Sequence, residues 1–183
     1  ENIMYAVIDG GKRDENIKKL ETTLGVSLER WPAVFTSHCP GELQRTHKKG
    51  ERGITLAHAT VLRNFMKRDD KDKIVIFEDD AYHENDENIL GKMEEILSDA
   101  SDDITFMGWC YDYLCTHAYV VTKEGAKKIL DEIDECGVID RQYEARCKSG
   151  TLTCNKIDEK LYEGTRQSWT AGLFHQIGES MNI

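Results

Sequence analysis

The spacing of apolar residues constrains this chain most, because short apolar runs alternate with stretches whose apolar positions recur at helical intervals. Residues 3–8 form an apolar run that stops at Asp9-Gly10-Gly11, and Ile17, Leu20 and Leu24 then follow on one helical stripe. Residues 33–36 read as a second, weaker strand. The polar stretch 42–52, rich in Lys, Arg and Gly, reads as a loop leading into a helix over 54–68, with Ala57, Val61, Leu62, Phe65 and Met66 on its apolar face. Residues 73–77 are the most hydrophobic strand and run straight into Glu78-Asp79-Asp80, after which Ile89, Leu90, Met93, Ile96 and Leu97 mark another helix. Strands over 104–107 and 118–122 flank an aromatic turn, and a helix over 124–135 carries Ala126, Ile129, Leu130 and Ile133; beyond Gly137 the pattern weakens. Strands alternating with helices of this length predict an α/β fold, with a mainly parallel central sheet and helices on both faces.

A length of 183 residues fits a single domain over 1–183, of a size that a longer chain can also contain. The 34 acidic residues outnumber the 24 basic ones, giving a formal net charge of −10. Nucleic acid is therefore a poor partner, because phosphate-backbone binding needs clustered Lys and Arg. No run approaches the roughly 20 apolar residues of a membrane span. An anionic ligand would need a local correction here, such as a divalent cation. The six cysteines, at 39, 110, 115, 136, 147 and 154, include no Cys-x-x-Cys, which argues against structural zinc. In a chain of this size they read as free thiols in a reducing compartment, and hence a cytoplasmic location, ahead of a secreted disulfide framework.

In open parallel sheets ligands bind at the carboxyl ends of the strands, and carboxylates placed there can hold a hard divalent cation. Glu78, Asp79 and Asp80 occupy such an end. Three adjacent carboxylates repel one another, so a metal, basic side chains or solvent must compensate them. A receiver-like signalling domain also places acids and Mg²⁺ at strand ends, but there the acids follow the first strand.

The neighbourhood of the triplet resembles the glycosyltransferase family 25 pattern of lipopolysaccharide and collagen galactosyltransferases. The segments are an opening strand with Arg13 behind it, Gly53-Ile54-Thr55-Leu56-Ala57-His58, Ile74-Val75-Ile76-Phe77-Glu78-Asp79-Asp80-Ala81, and Thr116-His117-Ala118-Tyr119 through Gly125-Ala126. Ala57 stands where the family has Ser. The resemblance implies a GT-A, Rossmann-related fold and a metal-dependent transfer of a sugar, with inversion, from a nucleoside-diphosphate sugar such as a UDP-hexose to a glycan or glycoconjugate hydroxyl. A non-catalytic nucleotide-sugar or carbohydrate-binding module is the alternative.

It further implies that Asp80 ligates Mn²⁺ or Mg²⁺, with His175 as a late metal ligand, while Glu78, Asp79, Asp9, Arg13 and His58 serve the donor. The metal would offset charge growing on the departing diphosphate. An inverting transfer needs a base for the acceptor hydroxyl, and Asp140 and Asp112 are the candidates, Asp140 preferred. Each residue has a plainer reading: Asp9 and Asp112 as turn residues, Arg13 as a surface charge, His58 and His175 as structural histidines, Asp140 as a helix cap, and Trp109 and Tyr111 as packing.

Overall fold

The computed structural model describes residues 2–33, 49–83, 88–110, 112–157 and 171–177, with the backbone alone for 49–52 and 171. The chain opens with strand β1 (Ile3–Asp9), helix α1 (Asp14–Leu24) and strand β2 (Glu29–Pro32). Helix α2 (Lys49–Met66), β3 (Lys73–Glu78), the short β4 (Ala81–Tyr82) and α3 (Ile89–Asp99) follow. Then come β5 (Ile104–Trp109), β6 (Ala118–Thr122), α4 (Lys123–Glu132) and α5 (Ile139–Ser149). Three short strands complete the order: β7 (Cys154–Lys156), β8 (Ala171–Gly172) and β9 (His175–Gln176).

The main sheet runs β2-β1-β3-β6-β5-β7, with β8 added to β5, while β4 and β9 pair separately. β2, β1, β3, β5 and β7 share one direction and β6 is reversed, so the sheet is mainly parallel, as its alternating pattern predicts. The register sets Ile8 beside Glu78 and Phe77 beside Ala118. The carboxyl ends of β1 and β3 and the start of β6 therefore meet at one edge of the sheet.

Side chains alternate across this sheet with a period of two, which splits the core into two layers. Met4, Ala6, Ile74, Ile76, Tyr119 and Val121 face Ala57, Leu62 and Phe65 of α2, Ile129 of α4 and Tyr143 of α5. Val7, Val75, Phe77 and Val120 face Ile17 and Leu20 of α1 and Met93 and Leu97 of α3. Helices thus cover both faces. Among the described residues no helix is long and apolar enough to cross a membrane.

Two expectations are corrected, and a third falls largely outside the described residues. The strand expected at 33–36 lies outside them except for Ala33, and the second strand among the described residues is Glu29–Pro32, paired in parallel with β1. β2 is an edge strand held by backbone bonds and largely exposed, so it carries no apolar signature. Beyond Gly137 the chain forms α5, whose buried contribution is only Ile139 and Tyr143, too narrow a stripe to register as periodic. The cysteines are not free thiols: Cys110 pairs with Cys115 and Cys147 with Cys154, Cys136 is also disulfide-bonded, and no described cysteine is free. Cys39 lies outside the described residues.

The start of α4 shows how tightly the layers meet. Thr122 caps the helix by accepting the Gly125 N–H at 3.1 Å, and a Cβ on Gly125 would stand 2.2 Å from the Asp103 carbonyl oxygen. Backbone cannot yield as a side-chain tip can, so Gly125→Ala should destabilise the protein by about 1–3 kcal/mol. Urea denaturation measures it, and an unchanged midpoint would contradict the packing described.

Candidate active site at the carboxyl edge of the sheet

Strand parity sends the three consecutive carboxylates in different directions. Glu78 continues the face of Ile74 and Ile76, toward α2, where His58 falls on the same stripe as Leu62 and Phe65. Its Oε1 accepts from the Thr116 hydroxyl at 2.5 Å and lies 3.7 Å from His58 Nε2. His58 Nδ1 is 2.5 Å from the Tyr119 hydroxyl, which is 3.2 Å from that of Tyr143. Burial pushes the Glu78 carboxyl up, but His58 and the Thr116 hydroxyl more than offset this and leave it below its ordinary value.

Asp79 turns to the opposite side. Its Oδ2 accepts the Gly10 N–H at 2.8 Å, and Arg13 Nε stands 3.8 Å from Oδ1. Burial nevertheless raises its pKa above the ordinary value. Asn16 of α1 donates to the carbonyls of Asp79 and Ala81 at 2.8 and 2.7 Å, fixing the backbone around the triplet. Asp9 is engaged locally, accepting the Gly11 N–H at 2.7 Å with Arg30 at 3.6 Å.

Among the described residues no cation is paired with Asp80. Its Oδ1 is buried with no hydrogen-bond partner, and its pKa is pushed up to about 7, first by burial and then by the charge of Glu78, against a hydrogen bond from the Gln176 side chain. The β4–β9 pairing brings Gln176 opposite Ala81 and the fully buried His175 opposite Tyr82. A buried carboxylate oxygen lacking a donor, beside two more acids, fits a hard divalent cation. Glu78 and Asp79 are occupied by protein contacts, so the fit rests on Asp80, with His175 on the adjoining strand. Among the described residues, the group of three donors within 4.8 Å of one another is Cys110, Cys115 and His117, and there the two sulfurs are joined in a disulfide and offer no thiolate.

Asp140 lies in the first turn of α5, its Oδ2 accepting the Cys115 N–H at 3.4 Å. Burial raises its pKa, the backbone N–H groups of Cys115 and Arg141 oppose this, and the charge of Glu78 adds to the rise. Asp112 sits in the β5–β6 connection at this edge, but its carboxylate is 59% exposed and pairs with Lys148 at 3.1 Å, not with the triplet. His58 is wholly buried and contacts Glu78 and Tyr119, so it is an interior partner of the triplet, not a rim residue. Trp109 is packed in the core, and Tyr111 and Trp169 lie outside the described residues. Asn16, Tyr143 and Gln176 were not singled out by sequence, since polar residues at unremarkable positions give no signal until the sheet brings them to the triplet.

The architecture can be compared with solved structures. Drosophila β-1,4-galactosyltransferase 7, solved with manganese, UDP-Gal and xylobiose, superposes with a TM-score of 0.53 at 12% identity over 97% of this chain and 72% of that one. The fold is GT-A-like. A197 from STIV superposes with a TM-score of 0.50 at 8% identity, over 86% of this chain and 82% of that one. No protein-family model and no curated protein matches the chain.

A carboxyl whose pKa is higher folded than unfolded destabilises the fold as it ionises. For Asp80 that loss accrues from its ordinary 3.8 up to about 7 and is complete above. Asp80→Asn should therefore make the metal-free protein more stable at pH 8 by on the order of 2 kcal/mol, and change it little at pH 4. Thermal denaturation at the two pH values checks this; equal effects at both would refute the burial described.

Proposed function

We propose that the protein is a metal-dependent glycosyltransferase that moves a hexose from a nucleoside-diphosphate sugar, UDP-hexose first, to a hydroxyl of a glycan or glycoconjugate, with inversion. The observation that carries this reading is the partnerless buried oxygen of Asp80 at the carboxyl end of the central strand of a GT-A-like fold. The resemblance of the segments around Glu78-Asp79-Asp80 to glycosyltransferase family 25 supports it, as does the manganese and UDP-Gal held by the fly enzyme of the same fold.

In this reading Asp80 and His175 are the residues that would hold Mn²⁺ or Mg²⁺. The ion, when bound, offsets the negative charge of the leaving diphosphate. Asp79, fixed by Gly10 and Arg13, and Asp9 beside it line the donor edge, and the Arg13 guanidinium is a further cation for phosphate. Glu78 anchors the interior side of the site through His58 and Thr116. Asp140, with a raised pKa and an N–H already on one oxygen, takes the proton from the acceptor hydroxyl as that oxygen attacks the anomeric carbon. The disulfides favour an oxidising compartment over the cytoplasm.

A panel of nucleotide sugars should raise the thermal midpoint only with Mn²⁺ or Mg²⁺ present, since a ligand of the native state alone stabilises it. Asp80→Asn should abolish that rise while leaving the circular dichroism spectrum unchanged; an equal rise in the variant sinks the assignment of Asp80. Asp140→Asn should keep donor affinity and lower kcat by about 10²–10⁴-fold. Undiminished turnover in steady-state assays would remove Asp140 from the base role.

A further inference from the structure

Three consecutive residues ahead of β6 each contact a different part of the site. The Cys115 N–H donates to Asp140 on α5 at 3.4 Å, and the Thr116 hydroxyl donates to Glu78 at the end of β3 at 2.5 Å. His117 Nε2 lies 2.8 Å from the carbonyl of Phe174, the residue before His175, and its own carbonyl accepts the Glu78 N–H at 3.0 Å. A carbonyl can only accept, so Nε2 carries the proton; burial holds the His117 pKa at about 4, so the ring is neutral. Thr116 and His117 are buried, so their contacts are shielded from water.

The backbone that delivers these contacts is not one the chain adopts freely. Asp112 and Cys115 have positive φ angles of 51° and 69°, a region that Asp enters at modest cost but that Cys seldom occupies without its surroundings holding it there. Two ties close this connection: the Cys110–Cys115 disulfide, and the Cys110 N–H donating to the Leu114 carbonyl at 3.0 Å. At the far end of the tripeptide, the His117–Phe174 bond passes where a side chain on Gly108 would stand. A Cβ there would lie 2.2 Å from His117 Nε2 and 2.4 Å from the Phe174 oxygen. The second disulfide, Cys147–Cys154, lies elsewhere: Cys154 pairs with Ile104 at the start of β5, the end of that strand away from the site.

We propose that Cys115, Thr116 and His117 form a positioning tripeptide that aligns Asp140, Glu78 and the His175 strand with one another, and that the Cys110–Cys115 disulfide keeps it in place. The inference rests on the function proposed above. None of the three residues touches substrate; each acts through the group it contacts.

The test compares two double variants of the full chain, Cys110→Ala with Cys115→Ala, and Cys147→Ala with Cys154→Ala. Loss of the first disulfide should lower kcat for Mn²⁺-dependent turnover of UDP-hexose by about tenfold to a hundredfold with donor KM little changed, whereas loss of the second should lower the thermal midpoint and spare kcat. Thr116→Val should reproduce the kcat defect and Thr116→Ser should restore it, a rescue that a purely structural role does not predict. Equal kcat for both double variants, or full activity in Thr116→Val, overturns the proposal. Hydrogen exchange supplies a readout independent of activity. The Glu78 and Phe174 amides, bonded to the His117 and Met107 carbonyls, should exchange at least about tenfold faster in the first double variant alone. Unchanged protection there overturns the positioning role whether or not the protein turns over a sugar nucleotide, and absent turnover in the wild type with the expected exchange overturns only the function.

Discussion

The site depends on β3 being paired on both edges. With β1 on one side and β6 on the other, its backbone bonds are used and its register is fixed, so the side chains beyond its end have their directions assigned by alternation. A shift of one residue would turn Glu78 away from His58 and into the layer of α1 and α3. The same pairing draws the start of β6 alongside Glu78, which makes the Thr116 hydroxyl available to a carboxylate 38 positions earlier in the chain.

Alternation also resolves the repulsion within the triplet. Glu78 has His58 and Thr116; Asp79 has the Gly10 N–H and Arg13; among the described residues Asp80 has one side-chain hydrogen bond, from the Gln176 amide. The protein satisfies two of three adjacent charges and leaves the third wanting a cation. An unsatisfied buried group of this kind costs stability, and such costs concentrate at functional positions.

Much of this was legible in the sequence. The strands with unbroken apolar character, and the helices with a stripe of three or more apolar residues, stand where their periodicity puts them, except that α2 begins at Lys49, inside the polar stretch read as a loop. What escaped were elements with little to bury: β2, a largely exposed edge strand, and α5, anchored by Ile139 and Tyr143. Disulfide pairing escaped as well, because it is set by distances that only the folded chain defines. Within the site, Glu78-Asp79-Asp80 could be located as a group, but not the divergence of its members, since that is decided by Gly10, Arg13, Asn16, His58 and Gln176, residues remote in sequence. The sequence preferred Asp140 to Asp112 only through the resemblance; α5 brings Asp140 to Cys115, and a surface pair with Lys148 claims Asp112.

The reversal of β6 divides this edge of the sheet into two kinds of ground. On the side of β1 and β3 it is built from strand ends followed by short, pinned turns, which cannot lengthen without disturbing the strands themselves. On the side of β5 and β6 it is built from a connection between two antiparallel neighbours, closed on itself by a covalent bond. Insertions and new side chains in that loop would remodel the ground beside β5 and β6 while the turns after β1 and β3 kept their shape, so the two sides of this edge could diverge at different rates among descendants of one fold.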